Sequence, residues 1–188
     1  MNRADILKAH ANASTWARFL LARDPDSWVI LDTETTGLGP QAEVVQIGAI
    51  NGRGDVLMDN VLVRPMVPIE PDAARIHHIT EEMVANAPSF LEVLPRLQDI
   101  ARNKLLVIYN AEYDLRLLAQ SAQAHNTMPY LPYGGCDCAM LRYAEWVGQW
   151  NDYHGSFRWQ KLEGGDHSAL GDCVATLETI KKMAESGE

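Results

Sequence analysis

The sequence predicts an α/β fold in which helices cover a mixed sheet. Two observations carry this prediction. Three strand-like runs come first and are separated by turn residues, and after them an apolar strand alternates with helical segments. The first three strands are expected to form an antiparallel meander, and the later strands to join the sheet in parallel. The strand-like runs span residues 28–31, 44–50, 56–63 and 105–108.

Helical periodicity predicts the layers on either side of the sheet. An extra N-terminal helix is expected over residues 4–21, and it ends at the Asp-Pro-Asp-Ser run 24–27. Its expected apolar contacts are Ile6, Trp16, Phe19 and Leu20. The other helices are expected over residues 72–76, 81–85, 89–102, 111–120, 139–150 and 169–184. Residues 128–135 are expected to form a loop, because they are rich in Pro, Tyr and Gly.

Aromatic residues continue the pattern of the helix predicted over residues 139–150. They follow one another at steps of three and four residues: Tyr143, Trp146, Trp150, Tyr153 and Phe157. If one helix carries all of them, they form either a stripe packed against the sheet or a stacking platform for unpaired bases. Core packing is the favoured interpretation.

Length and charge fit one globular domain. The 188 residues suit a single main domain, expected at 28–188 after a helical extension at 1–27. Sixteen Lys and Arg against 25 Asp and Glu give a formal net charge of −9. This balance argues against a broad basic face that grips long duplex nucleic acid, but it leaves room for a small nucleic-acid site.

Cysteine use and hydropathy predict a cytoplasmic protein. The three cysteines are an odd set, and no secretory or membrane-spanning apolar stretch accompanies them. Reduced thiols and no membrane association are therefore expected. Cys136-x-Cys138 is a weak zinc candidate, because no second pair follows at zinc-finger spacing.

Acidic residues follow two of the predicted apolar strands. Asp32 and Glu34 lie at the end of the first strand, where residues two apart point to the same face. Adjacent carboxylates disfavour each other's ionisation unless a cation or solvent compensates. Asp114 follows the strand 105–108 in the first turn of the next helix. Strand ends are where α/β folds place their chemistry, whereas a solvated strand end and a favourable helix-dipole position are the plain alternatives.

One more carboxylate, Asp172, lies in the last predicted helix. Ser168 is a good N-cap, so His167 is expected on the preceding loop and Asp172 inside the helix. A histidine on that loop can swing over a carboxylate cluster, although a surface position is the commoner outcome for such a residue. Four carboxylates and a histidine together fit a site in which two hard cations, Mg²⁺ or Mn²⁺, flank a phosphodiester.

These residues occur in motifs that resemble those of a known family. The sequence resembles the DnaQ-like 3′→5′ exonucleases of the DEDDh type, which have a ribonuclease-H-like fold. The motifs are Asp32-Thr33-Glu34-Thr35-Thr36-Gly37-Leu38 followed by Gln46-Ile47-Gly48-Ala49, then Asn110-Ala111-Glu112-Tyr113-Asp114, and finally His167-x-Ala169-x-x-Asp172. Segments 76–80 and 136–138 are also similar to family segments, and the resemblance covers about residues 28–183.

The resemblance implies a role for each residue of the acidic set. Asp32, Glu34 and Asp172 would bind the tighter of two divalent cations, Mg²⁺ or Mn²⁺. Asp32 would bridge to the second cation, which Asp114 would reach directly or through water. His167 would be the general base for the attacking water, a role that suits an imidazole.

The resemblance also implies the substrate contacts. Thr35 and Leu38 would contact the terminal 3′ nucleotide, and Asn110 would orient the strand that is cut. Two positions depart clearly from the family pattern: Tyr109 stands where the family has His, and His78 stands where Gly is usual. Tyr113 in place of a common Phe is a mild departure. Tyr109 is expected to alter substrate positioning without loss of the chemistry, and His78 to reshape the substrate loop.

Three functions are open on the sequence alone. The main expectation is an exonuclease that releases nucleoside 5′-monophosphates from single-stranded or frayed DNA 3′ ends. The alternatives are a 3′→5′ exoribonuclease that degrades RNA or oligoribonucleotides, and a non-catalytic nucleic-acid-binding module. Trp159 and Lys161 lie near His167 in sequence and are further candidates for touching substrate. A homodimer, as in several relatives, is a hypothesis.

Overall fold

A mixed five-stranded sheet forms the centre of the molecule. The computed structural model describes residues 1–185. The strands lie in the order β3-β2-β1-β4-β5. β1 pairs antiparallel with β2, and β2 with β3, whereas β4 pairs parallel with both β1 and β5. The strands are β1 (Trp28–Thr35), β2 (Val44–Asn51), β3 (Val56–Leu62), β4 (Leu105–Ile108) and β5 (Gly135–Cys138). This arrangement confirms the predicted ribonuclease-H-like fold class.

Helices cover both faces of the sheet, and alternating residues of β1 show which helices lie on each face. Val29 and Leu31 join a core cluster with residues of α4 and α5. Trp28 and Ile30 join a second cluster with residues of α1, α6 and α7. Both faces of β1 are therefore buried, as expected for the central strand of an α/β sheet. The helices are α1 (Arg3–Leu21), α2 (Pro71–His77), α3 (Glu81–Val84), α4 (Phe90–Ala101), α5 (Ala111–Ala124), α6 (Ala139–Val147) and α7 (Ala169–Glu185).

The N-terminal helix α1 packs onto the same core as α6 and α7. Its buried apolar side chains include Ala13, Ala17 and Leu20, and the last two belong to the cluster beneath the sheet. Phe19 was expected to join them, but 73% of its surface is exposed, so that expectation was wrong. That residues 1–27 form a separable extension stays a prediction.

The aromatic residues from Tyr143 to Phe157 do not share one helix. α6 ends at Val147 because Gly148 adopts the left-handed conformation, with φ 75°, and caps it. The chain then forms a short hairpin of β6 (Trp150–Asn151) and β7 (Ser156–Phe157). The predicted helix over residues 139–150 is therefore too long, and the aromatic stripe is divided between a helix and a hairpin.

One further difference concerns the edge of the sheet. β5 begins at Gly135, the last residue of the segment expected to be a loop, and its half-buried Gly135-Cys136-Asp137-Cys138 run has no apolar pattern that predicts a strand. Cys136 and Cys138 are free thiols. Among residues 1–185, no helix is long and apolar enough to cross a membrane.

Candidate active site

Strand β1 presents two carboxylates to helix α7. Asp32 and Glu34 continue the alternation of Trp28 and Ile30, so they lie on the face that α7 covers. One oxygen each of Asp32, Glu34 and Asp172 lie within 4.8 Å of one another. The structure therefore brings together three of the four carboxylates that the sequence singles out.

The N-terminus of α7 is fixed to the sheet by side chains of β2 and β3. Gln46 Oε1 accepts a hydrogen bond of 2.9 Å from the Ala169 N–H, and Asn60 Oδ1 accepts one of 2.8 Å from the Leu170 N–H. The predicted N-cap is also in place, because the Ser168 Oγ accepts a bond of 3.1 Å from the Gly171 N–H. The first three amides of the helix thus have partners, and the position of Asp172 is set by the sheet.

Gly48 allows this close approach of helix and sheet. It pairs with Asp32 in the antiparallel ladder. A Cβ atom at Gly48 would lie 2.4 Å from the carbonyl carbon of Ala169, which is far inside van der Waals contact. The backbone of α7 therefore crosses β2 at a position that only glycine can occupy without a shift.

His167 lies on the loop before α7, as the sequence predicts. Its backbone N–H and that of Asp166 donate to the Oδ1 of Asp172, over 3.2 and 3.1 Å. The residue adopts the left-handed conformation, with φ 61°, and its side chain is exposed. Because its amide bonds to Asp172, the backbone at His167 is tied to the acidic cluster, and both residues line the same cavity.

Asp114 approaches the same strand from the other face of the sheet. Its Oδ1 accepts hydrogen bonds from the N–H of Thr33 (3.0 Å) and from the Thr33 Oγ1 (2.8 Å). The ladder between β1 and β4 ends at Ile30, so this carboxylate satisfies a strand amide beyond the paired region. Asp114 is buried in the first turn of α5, beside Asp32 but outside the three-carboxylate group.

Burial and mutual repulsion raise the pKa values of the acidic set. Burial is the largest cause for Asp32, whose pKa lies well above its usual range, and Asp114, Asp172 and Glu34 add to it by charge repulsion. Burial, followed by Asp172 and Asp114, raises the pKa of Glu34 to about 8. Burial raises the pKa of Asp114 to about 7 against the opposing effect of the Thr33 hydrogen bonds, and it also raises that of Asp172. A cation bound among these carboxylates would favour their ionised form, because it would offset both the burial and the repulsion.

Two adjoining cavities open over the cluster. The first has a volume of about 310 Å³ and contains Asp32, Glu34, Asp114, Asp172 and His167 in its lining. The second has a volume of about 430 Å³, and its lining includes the three predicted substrate contacts Thr35, Leu38 and Asn110. Glu34 and Asn110 line both cavities, so the two spaces meet beside the cluster.

The predicted substrate contacts differ in what they expose to the second cavity. Leu38 leaves 74% of its surface exposed, whereas Thr35 is buried. The Thr35 hydroxyl donates to the Gly37 carbonyl over 2.9 Å and lies 3.0 Å from the Tyr113 hydroxyl. Thr35 therefore shapes the wall of this cavity, with its hydroxyl already engaged inside the protein.

The two departures from the family pattern have defined structural roles. Tyr109 is buried at the end of β4, lines the acidic cavity and donates from its hydroxyl to the Gln160 carbonyl over 2.8 Å. His78 adopts the left-handed conformation, with φ 59°, and caps α2. This is the conformation that glycine adopts freely, so the turn is kept although the residue differs.

Neighbouring His77 ties this turn to β1. Its Nδ1 accepts a bond of 3.0 Å from the Ile79 N–H, so the Nε2 carries the proton and donates to the Thr35 carbonyl over 3.1 Å. Burial lowers the pKa of His77, which keeps the ring neutral. The wall of the second cavity is thereby attached to the strand that carries Asp32 and Glu34.

Sequence reasoning missed the side-chain contacts that hold α7 and the loop before it in place. Gln46 and Asn60 bond to amides more than a hundred positions away in the chain, and no local pattern predicts such pairs. Tyr109 was noticed only as a departure. Lys161, a suggested substrate contact, does line the acidic cavity, whereas Trp159 lies in a neighbouring cleft.

Comparisons with known proteins agree with this geometry. The exonuclease family model named RNase T matches residues 29–180. CP81 of Escherichia phage 186, described as an uncharacterized exonuclease, is 37% identical over 177 residues, which are 86% of this chain and 90% of the phage protein. A DNA polymerase III subunit epsilon-like protein of Rhodobacter capsulatus is 44% identical over 173 residues, which are 85% of this chain but 24% of that protein.

Solved structures show the same fold. Exonuclease X in complex with 5′-overhanging duplex DNA is 32% identical with a TM-score of 0.56, and the match covers 86% of this chain and 93% of exonuclease X. An Escherichia coli exonuclease I complex with single-stranded DNA is 17% identical with a TM-score of 0.65, and covers 85% of this chain and 41% of the other. At 17% identity, the likeness to exonuclease I shows the fold alone.

Fold and acidic cluster together define a nuclease with a ribonuclease-H-like fold. The chain belongs to the exonuclease family, in its DnaQ-like branch, and is an enzyme that hydrolyses phosphodiester bonds of nucleic acid. Divalent metal ions are typical of this family, and the acidic cluster offers the oxygen ligands that such ions take.

Proposed function

We propose that this protein is a 3′→5′ DNA exonuclease that removes nucleoside 5′-monophosphates from single-stranded or frayed 3′ ends. The observation that carries the proposal is the three-carboxylate group on β1 and α7, with His167 on the loop beside it. Asp114 completes the set from α5. All of the residues that the chemistry needs line one cavity, which argues against a binding module without catalytic activity.

The second cavity supports an end-directed reaction. It adjoins the acidic cavity at Glu34 and Asn110, and its lining includes the exposed side chains of Leu38 and Ile76. A cavity of about 430 Å³ with an apolar wall suits one nucleotide, whose base packs on apolar side chains. One nucleotide in this cavity places its 5′ phosphate near the carboxylates, which is the geometry that releases 5′-monophosphates.

DNA is the proposed substrate because of the relatives. Exonuclease X was solved with 5′-overhanging duplex DNA, and it shares 32% of its sequence with this chain. A preference for single-stranded or frayed ends suits the formal net charge of −9, since a protein so acidic is poorly suited to gripping a long duplex. RNA remains the alternative substrate that the assay below compares directly.

The donor set fits two divalent cations. Three half-buried carboxylates with raised pKa values lie side by side. Among the described residues, no Arg or Lys forms a salt bridge with them, so bound cations would have to balance the charge of their ionised forms. Asp32, Glu34 and Asp172 would hold one Mg²⁺ or Mn²⁺, and Asp32 with Asp114 the other. Bound there, the cations would act as Lewis acids on the phosphate and acidify the attacking water.

The residues of the chain perform the remaining steps. His167 accepts the proton of the attacking water on a ring nitrogen. The new bond joins the water oxygen to phosphorus, and the broken bond frees the 3′ oxygen of the preceding nucleotide, which takes a proton from solvent. Asn110 lies at the junction of the two cavities, where it contacts the strand that is cut. The products are a nucleoside 5′-monophosphate and a strand shortened by one residue.

Digestion of end-labelled oligonucleotides tests the proposal. With Mg²⁺ or Mn²⁺, 5′-labelled single-stranded DNA should give a ladder that shortens from the 3′ end, and EDTA should stop the reaction. Parallel digestion of RNA of the same sequence ranks the two substrates. Equal or faster RNA turnover would favour the exoribonuclease. Release of the 5′ label as a mononucleotide, with no ladder of labelled intermediates, would contradict the proposed direction.

Two variants test the assigned roles. Asp114→Ala should abolish cleavage, while Asp99→Asn, an exposed carboxylate on α4, should leave it unchanged. His167→Ala should lose roughly 10²–10⁴-fold in rate but retain metal binding, because a general base contributes about that factor. Loss of metal binding in His167→Ala would instead make His167 a ligand.

The homodimer belongs to the same proposal, and sedimentation that shows only monomer at micromolar concentration would remove it.

A further inference from the structure

A cleft beside the β6–β7 hairpin lies outside the acidic site. It has a volume of about 640 Å³ and is lined by Asn151, His154, Ser156, Phe157, Arg158 and Trp159. At the base of the hairpin, the Trp150 and Phe157 rings meet edge to face at 5.3 Å. Phe157 thus packs within the hairpin and also lines the cleft.

Aromatic surface in this cleft is exposed to solvent. Trp159 leaves 67% of its surface exposed, although a tryptophan side chain usually buries most of its apolar area. Tyr153 at the tip of the hairpin leaves 91% exposed. Exposed rings beside a groove are the arrangement on which unpaired bases stack, and each stack stabilises binding because every base has an aromatic face.

Positive charge accompanies these rings in a protein that is otherwise acidic. Within residues 1–185, neither Arg158 nor Lys161 forms a salt bridge, whereas Arg75, Arg102 and Lys182 each pair with a carboxylate. The guanidinium of Arg158 and the ammonium of Lys161 are thus available to phosphate groups.

One chain segment lines both the cleft and the acidic cavity. Arg158 and Trp159 line the cleft, and Lys161, two residues further, lines the cavity of the carboxylates. Two anchors hold this connection: the Arg158 N–H donates to the Gln149 carbonyl over 2.8 Å, and Gln160 accepts from the Tyr109 hydroxyl. The segment from Arg158 to Lys161 thus contributes side chains to both the cleft and the acidic cavity.

We propose that this cleft binds the unpaired part of the substrate strand that lies 5′ of the terminal nucleotide. Trp159 stacks on a base and Arg158 contacts a phosphate. The inference rests on the proposed exonuclease function and deepens it. If the cleft binds the strand, long substrates bind more tightly than short ones.

Substrates of different length test the cleft against the active site. A p-nitrophenyl ester of thymidine 5′-monophosphate and a dinucleotide reach only the acidic site and the nucleotide cavity, whereas an oligo(dT) of about 12 nucleotides also reaches the cleft. Trp159→Ala should raise the KM for the long oligonucleotide by about 5- to 100-fold, since one lost base stack weakens binding by roughly that factor. Its kcat, and both constants for the two short substrates, should stay near wild type.

Conservative and charge variants sharpen the result. Trp159→Phe keeps an aromatic ring and should restore most of the affinity. Arg158→Ala should reduce the slope of log affinity against log salt by about 0.7, the value for one phosphate contact on a single strand. Phe19→Ala removes an equally exposed ring from α1 and serves as the control, for which no change is expected.

Anisotropy of a labelled oligo(dT) in EDTA measures the same binding without turnover. A cleft that binds the strand loses affinity in Trp159→Ala whether or not the wild type cleaves DNA, so this inference and the proposed function fail independently. Equal KM changes for long and short substrates would overturn the inference, as would unchanged binding by folded Trp159→Ala. A variant that shifts only the sedimentation coefficient would make the cleft a contact between copies of the chain and would also overturn it.

Discussion

The Tyr109 hydroxyl fixes the segment that leads to His167. This segment runs from Arg158 to His167, and its first part is held where the Gln160 carbonyl accepts from the Tyr109 hydroxyl. A second anchor follows, because Glu163 pairs with Lys182 of α7 over 2.7 Å. The departure from the family pattern at this position is therefore a positioning contact in the wall of the acidic cavity.

Removal of that hydroxyl should slow the reaction more than it weakens substrate binding. Tyr109→Phe keeps the buried ring but loses one hydrogen bond, a contact of roughly 1 kcal/mol. We expect kcat to fall about 3- to 10-fold with little change in KM, because the displaced segment carries His167. Steady-state kinetics on a short single strand measure this, with Tyr133→Phe as a control on the exposed loop before β5. Wild-type kcat in the variant would exclude the positioning role.

Helix α7 is the element on which the site depends. It supplies Asp172, and side chains of β2, β3 and the preceding loop satisfy its first amides. The helix also buries Cys173 against β1, where the thiol lies 3.7 Å from the Ile30 carbonyl. The three carboxylates come together only when this helix is seated against the sheet.

A methyl group at Gly48 should displace α7. In Gly48→Ala the new carbon would meet the backbone of Ala169 at 2.4 Å, so the helix or the strand must shift. Overpacking of this kind costs about 1–3 kcal/mol of stability, and the shift should also lower activity more than tenfold. Urea unfolding and a nuclease assay measure both effects. Gly39→Ala, which meets no atom within 4 Å, should change neither, and a normal Gly48→Ala would show that the contact is not needed.

At the scale of the whole molecule, metal binding by the acidic cluster would make stability depend on the metal concentration. The protein carries a formal net charge of −9, and burial and repulsion raise the pKa values of the clustered carboxylates. Cations that bind the folded state but not the unfolded chain stabilise the fold by mass action.

Metal removal should therefore lower the melting temperature. Mg²⁺ at about 100 times its Kd adds roughly 2.7 kcal/mol, which corresponds to about 5–10 °C for a domain of this size. Calorimetry in Mg²⁺ and in EDTA, at equal ionic strength, measures the difference. Asp172→Asn should lose most of it while Asp99→Asn keeps it, and equal melting temperatures in Mg²⁺ and EDTA would contradict metal binding by the cluster.

Short-range patterns explain which parts of this fold could be predicted from the sequence. The apolar run before Asp32 and the capping Ser168 act within a few residues, so strand β1 and the start of α7 were predicted correctly. Strand β5 was missed because it is half-buried and lacks an apolar run, and its pairing with β4 is decided by tertiary contacts. At α6 the aromatic spacing favoured a longer helix, whereas Gly148, a good helix terminator, ended it.

The residues of the candidate site also fall into those that local patterns predict and those that only the fold reveals. The carboxylates and His167 were visible because motifs carry them, and the structure brings them to one cavity. Contacts such as those of Gln46 with Ala169 and of Tyr109 with Gln160 join distant segments, so no local rule reveals them. Positioning residues of this kind require the fold itself.

The wide spacing of the acidic residues has a consequence during protein synthesis. Asp32, Asp114 and Asp172 are separated by most of the chain, and the last of them arrives on α7. The ribosome delivers the N-terminal strands first, at about 5–20 residues per second, so the sheet can begin to form before α7 exists. A nascent chain that has not yet reached α7 lacks Asp172, so the group of three carboxylates is incomplete. The three-carboxylate group thus forms only after α7 has been made and seated against the sheet.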